Sequence, residues 1–190
     1  MAKARAISNI DAHAPTGRNA RIIAKTRLEE MYYWNVYVDD PSNVQELHNL
    51  RIAAKRLRYT LEIFEETFPP ESKQVIQEVT QIQEELGLIH DNDVMMALLR
   101  LCLYGHDSDA GGKDFAVEQQ ERERSMVDPG MLASLLDPHT SPSAEEREGL
   151  QRLLHNVQQQ REERYDAFRQ HWYQLREKDF QREITELLDS

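Results

Sequence analysis

One cysteine in 190 residues, Cys102 inside the apolar run MMALLRLCLY, excludes an internal disulfide and makes a reducing compartment the simpler setting. Glycine and proline are sparse, seven of each, and with 39% hydrophobic and 30% charged residues this composition favours helical bundles over sheets. No apolar run approaches the length needed to span a bilayer, and no apolar segment of the signal-peptide kind follows Lys3 and Arg5. A cytoplasmic protein, neither secreted nor membrane-embedded, is expected. The chain also lacks a Walker A run, a glycine-rich phosphate loop and a serine or cysteine nucleophile in a recognisable setting. No turnover and no cofactor are therefore expected.

What is present is an uneven charge. The net charge of −11 argues by itself against a polyanion ligand, because long-range repulsion slows encounter with phosphate chains. The distribution reverses that argument. The first sixty residues carry ten Lys and Arg against six Asp and Glu, whereas the remainder carries thirteen against twenty-eight.

Periodicity predicts an all-α antiparallel helical bundle of about four core helices plus a long C-terminal helix. Residues 1–15 show no period and read as a loose arm ending at Pro15. A first helix is predicted from about Gly17 to Val38. A second is predicted from Pro41, with Asp40 as its N-cap, to Phe68, where Pro69 and Pro70 stop it. Val75, Val79, Ile82 and Leu86 mark a third, closed by Gly87 as a left-handed C-cap. His90-Asp91-Asn92-Asp93 then reads as the capping segment of a fourth over VMMALLRLCLY. Residues 105–142 read as an elaborated connection, with a short polar helix over Lys113 to Met126. Ser143-Ala144-Glu145-Glu146 is a capping box opening the long last helix, with Asp179 to Leu188 as its terminal extension. Residues 16–190 are thus expected to form one domain.

The second helix carries the most specific feature. At about 100° per residue, Leu47, Leu50, Ala53, Ala54, Leu57, Leu61, Phe64 and Phe68 gather into one sector and form its core face. His48, Arg51, Lys55, Arg58 and Tyr59 gather into the neighbouring sector along about 15 Å of helix, with Arg56 some way outside the row. Like charges at such spacing repel by about a few tenths of a kcal/mol per pair, and a solvated helix would interleave Glu to relieve it. Here Glu62, Glu65 and Glu66 follow only as the row ends, so a concentrated cationic strip on an acidic protein suggests a polyanionic ligand. Arg18, Arg21 and Lys25 repeat the i, i+3, i+7 spacing of His48, Arg51 and Lys55. On two antiparallel helices, these rows would line opposite walls of one groove. The last helix would add Arg161 and Arg164, with Tyr165 beside them.

The run from Leu47 to Tyr59, LHNLRIAAKRLRY, resembles the His-x-x-Arg-x-x-x-Lys-Arg-Leu-Arg-Tyr signature of the CHAD domains, all-helical domains named for their histidines. Leu86 to Val94, LGLIHDNDV, is similar to the same family's Leu-Gly-x-x-x-Asp-x-x-Val segment, and the two segments stand in the family's order. The resemblance covers about residues 44–100. It implies a helical bundle whose basic surface binds inorganic polyphosphate without catalysis, with His48, Arg51, Lys55, Arg56, Arg58 and Tyr59 at the motif positions. Association with polyphosphate granules is the corresponding expectation for location. Family members usually carry two such repeats, and this chain shows one. Either a shorter groove suffices, or two chains associate as a homodimer to rebuild the pair.

Other readings stay open beside it. His90, Asp91 and Asp93, with His106 and Asp107 following, cluster in sequence, but their spacing fits no usual zinc or calcium loop and helix capping explains them more simply. A plain helical adaptor would use the Gln-, Glu- and Arg-rich last helix as its partner surface. A nucleic-acid or nucleotide-phosphate binding module is disfavoured because Tyr59 is the single aromatic residue in register with the row.

Overall fold

The computed structural model describes residues 3–104 and 142–189. Five α-helices occur among them: α1 Thr16–Tyr33, α2 Val44–Ile63, α3 Ser72–Tyr104, α4 Ala144–Glu177 and α5 Phe180–Asp189. Short 3-10 turns, Trp34–Tyr37 and Glu65–Thr67, follow α1 and α2, and no strand occurs among the described residues. The all-α class expected from composition is the class observed. The connection read over residues 105–142, its polar helix over Lys113 to Met126, and His106 and Asp107 lie outside the described residues, apart from Pro142.

The chain divides into two compact units, residues 1–87 with 165–190, and residues 88–164. In the first unit α1 supplies Ala20, Ala24, Leu28 and Met31 to the core, and α2 supplies Leu47, Leu50, Ala53, Ala54, Leu57 and Leu61. These are the three- and four-residue steps of one helix face each, and burying such side chains contributes about 1.5–3 kcal/mol apiece for the larger ones. The early turns of α3 add Val75, Val79, Ile82 and Leu86, the late turns of α4 add Phe168 and Trp172, and α5 adds Phe180, Ile184 and Leu188. The second unit gathers Met96, Leu99 and Val157, with Leu150 and Leu154 packed against them.

Helices α1 and α2 run antiparallel. Gly17 at the start of α1 faces the segment after α2, where a β-carbon at Gly17 would stand 3.6 Å from Thr67 Cβ, and Glu30 near the end of α1 pairs with Arg56 of α2. The N-terminal arm has no helix, in keeping with its lack of period, but it is fastened to α1 at two points. Arg5 pairs with Glu29 at 2.9 Å and accepts a hydrogen bond from Arg27 at 3.0 Å through its carbonyl. Asp11 exchanges two backbone hydrogen bonds with the Asn19 amide, at 2.7 and 3.2 Å.

Several helix ends differ from expectation, some for tertiary reasons and some for local ones. After Tyr33, α1 tightens into a 3-10 turn. The Trp172 indole donates to Asn35 Oδ1 at 2.8 Å, Asn43 to the Tyr37 carbonyl at 3.1 Å, and the Tyr165 hydroxyl to the Val38 carbonyl at 2.7 Å. Asp40 does not cap α2; its carboxylate accepts from the Ser42 backbone N–H and hydroxyl at 2.8 and 2.7 Å, a local turn that delays the helix to Val44. The helix ends at Ile63 instead of Phe68, which is extended as a residue preceding proline must be.

Gly87 ends nothing. The predicted third and fourth helices are one helix, α3, because Leu86 and Ile89 are buried on either side of Gly87 and a glycine caps only where the chain can turn into the left-handed region. The residues His90 to Asp93 therefore lie within a helix and cap none. Asp179 to Leu188 is likewise no extension of the long helix, since Asp179 takes a φ of 56° and a separate helix starts at Phe180.

The capping box is present as read. Ser143 N–H donates to Glu146 at 2.8 Å, and Glu146 N–H donates to the Ser143 hydroxyl at 3.3 Å. Bonds from the Ser143 backbone, then its side chain, hold the Glu146 carboxyl below its ordinary value. Ser143→Ala is expected to lower the melting temperature by about a few degrees, with the loss confined to the α4 start in hydrogen exchange.

Candidate functional site

The apolar stripe of α2 faces the core, and the neighbouring sector turns His48, Arg51, Lys55, Arg58 and Tyr59 towards one flank. The first four are half-buried and the Tyr59 ring is 42% exposed. Arg51 crosses α3 at Gly87, where a β-carbon would stand 3.5 Å from Arg51 Nε. The two motif segments quoted from the sequence thus meet at these residues. Lys55 Nζ and the Arg58 guanidinium lie over the Tyr59 ring, 5.5 and 4.8 Å from its centroid, so the ring gathers two cations that would otherwise splay apart.

The partners of these cations sort them. Arg58 Nε stands 3.5 Å from Glu62 Oε1, close enough for attraction, yet without a hydrogen bond. Among the described residues, neither Arg51 nor Lys55 forms an ion pair with a carboxylate. Arg51 Nε is moreover buried without a hydrogen-bond acceptor in the protein. An N–H stripped of water and given no acceptor costs about 1–3 kcal/mol, and more when it is charged, so this guanidinium is held in a state that an incoming anion would relieve.

Arg56 is elsewhere. It leaves the row towards α1 and pairs with Glu30 Oε1, while Arg27 takes Oε2 of the same carboxylate at 2.7 Å. Glu30 is only 7% exposed. Periodicity alone gave no reason to single out Glu30 or Arg27. Their i, i+3 spacing is visible in the sequence, but the partner that gives it meaning lies 26 residues away. Gly87, first read as a cap, is the other residue whose place at the site had no local signal.

Of the α1 row, Arg18 is exposed, Arg21 half-buried and Lys25 paired with Asp189 of α5. The antiparallel register sets this row beside the C-terminal end of α2, whereas His48 and Arg51 lie at its N-terminal end. The two rows are therefore offset along the helix pair and do not face each other as walls of one groove. Arg161 and Arg164 belong to the second unit, with both side chains engaged there. Arg161 Nε donates to Asp93 at 3.0 Å in a pair that is 9% exposed on each side, and Arg164 donates to Asn92 Oδ1 and the Leu88 carbonyl at 2.8 and 3.1 Å. Burial raises the Asp93 carboxyl above its ordinary value even though Arg161 pulls it down. Among the described residues, no three His, Cys, Asp or Glu side chains converge as a metal-holding group, His90, Asp91 and Asp93 included.

Compared with known proteins, residues 5–100 match the family model described as CHAD domain, half of the chain. No curated protein matches, and no solved structure matches.

Two outcomes follow from this geometry. Gly87→Ala places its methyl group in ordinary contact with Arg51 and should raise stability by about 0.5–1 kcal/mol in denaturant unfolding, whereas Gly87→Leu should displace the guanidinium and shift its Nε–H resonance. Arg161→Met leaves Asp93 buried without its cation and should cost about 3 kcal/mol near neutral pH. Because the folded state then holds the Asp93 proton more tightly than the unfolded chain does, that loss should shrink as pH falls through the carboxylate range, as read by unfolding at a series of pH values.

Proposed function

Since the chain belongs to the CHAD domain family, we propose that it binds inorganic polyphosphate, without turnover, through the face of α2 formed by His48, Arg51, Lys55, Arg58 and Tyr59. The family is associated with polyphosphate binding in general. The observation that carries the reading to these residues is the pair Arg51 and Lys55, half-buried cations without a carboxylate partner among the described residues of a protein whose net charge is −11. A chain of phosphates supplies oxygens at a spacing that successive turns of a helix can meet, and it needs no base-edge recognition. Each charge-assisted hydrogen bond to phosphate is worth about 1.5–3 kcal/mol, so four of them are ample for about micromolar affinity after the cost of association.

Arg18 and Arg21 would be reached only by a ligand long enough to follow the offset rows, which favours long chains over short ones. The reading is of binding alone, because phosphate hydrolysis would need carboxylates free to hold Mg²⁺ beside the row and Glu62, the acid next to it, faces Arg58. Among the described residues no helix is long and apolar enough to cross a membrane. Recruitment to polyphosphate granules is the corresponding proposal for location, and pairing of two chains is the proposal for assembly.

The test is a titration of long-chain polyphosphate against the wild type and Arg51→Ala/Lys55→Ala at several salt concentrations, with single-stranded RNA and DNA as competitors and light scattering of the same samples. The logarithm of affinity should fall linearly with the logarithm of salt, the double variant should lose at least about tenfold and about two units of that slope, and nucleic acid should fail to compete. Unchanged binding in the variant rejects the α2 face, equal competition by RNA favours the nucleic-acid reading, and a monomer that still binds tightly rejects the dimer.

A further inference from the structure

Resting on that reading, we infer that Arg56, although it stands inside the signature run, does not touch the phosphate chain. It acts as a positioning residue, together with Glu30 and Arg27, by fixing the roll of α2 that presents the row. Arg56 lies about 100° of arc from the centre of the row on a helix of 3.6 residues per turn. Its guanidinium meets Glu30 Oε1, and the other oxygen of that buried carboxylate takes Arg27 at 2.7 Å. The Arg27 guanidinium also donates to the Arg5 carbonyl at 3.0 Å, so the chain of contacts runs from the N-terminal arm through α1 to the middle of the signature helix.

Each oxygen of Glu30 is thus matched to one guanidinium, and the carboxylate stands 7% exposed between two helices that meet mainly through alanine and leucine. Apolar contacts of that kind resist separation more than they resist rotation, because sliding one smooth stripe over another leaves most of the buried area buried. A directional charged bond does resist it. With cationic heads about 6 Å from the helix axis, a roll of about 20° moves each head by about 2 Å, enough to break a hydrogen bond. The ion pair to α1 supplies the constraint at the level of Lys55, between Arg51 and Arg58, where a small roll matters most.

The test compares Lys55→Met, Arg56→Met and Glu30→Met/Arg56→Met in the same polyphosphate titration, with thermal unfolding of each. Lys55→Met should lower the salt slope by about one unit, as a lost phosphate contact does. Arg56→Met should keep the wild-type slope but lose at least about threefold in affinity and lower the melting temperature. The double variant, which removes the charge left behind at Glu30, should recover the melting temperature but keep the affinity loss at an unchanged slope, because an apolar pair does not fix the roll; recovered affinity overturns the positioning role. A double variant that loses the same unit of slope as Lys55→Met puts Arg56 on the phosphate and overturns the proposal. An Arg56→Met variant with wild-type affinity overturns it too, since nothing is then being positioned. An unchanged slope in Lys55→Met fails the α2 reading instead, and removes the premise of the positioning role with it.

Discussion

The antiparallel contact between α1 and α2 is the constraint on which the rest depends. It removes Leu47, Leu50, Leu57 and Leu61 from water, and in doing so it decides which sector of α2 is left over. A helix with two adjacent sectors, one apolar and one cationic, has little freedom once the apolar one is seated: the cationic one must lie along the seam or in solvent. Here it is half-buried, with Arg51 crossing α3 at the one position of that helix that carries no side chain.

That placement has an electrostatic consequence. A protein with an excess of acid has carboxylates to spare, and several of its cations are matched to one. Arg27 and Arg56 share Glu30, Lys25 meets Asp189, and Arg161 meets Asp93. Arg51 and Lys55 are left without such a match among the described residues, and the aromatic ring of Tyr59 holds Lys55 and Arg58 near each other against their mutual repulsion. Charge of one sign, held in place by the fold and partly desolvated, is what the proposed polyanion would neutralise. The motif residues are thereby divided by what they touch, which a signature cannot do.

Much of the fold was legible beforehand, and the reasons are local. The stripe on α2 and the apolar positions of α3 follow from a period of 3.6 residues, and the capping box at Ser143 works because its donors and acceptors all lie within four residues. The misread positions have mixed causes. Asp40 had two local uses, cap or turn, and Ser42 took it for the turn; Gly87 had the composition of a stop, but burial on both sides kept the helix going. The end of α1 was set by Trp172 and Tyr165, well over a hundred residues away in the chain.

The amino-acid sequence by itself determined that the chain is helical, which face of α2 is buried, and that His48, Arg51, Lys55, Arg58 and Tyr59 share a face, because all of these follow from spacing along one helix. Only the tertiary structure decided which of the cations are already neutralised. The distance from Arg56 to Glu30, the crossing of Arg51 over Gly87 and the offset between the α1 and α2 rows depend on the register of one helix against another, and nothing local in the sequence encodes that register.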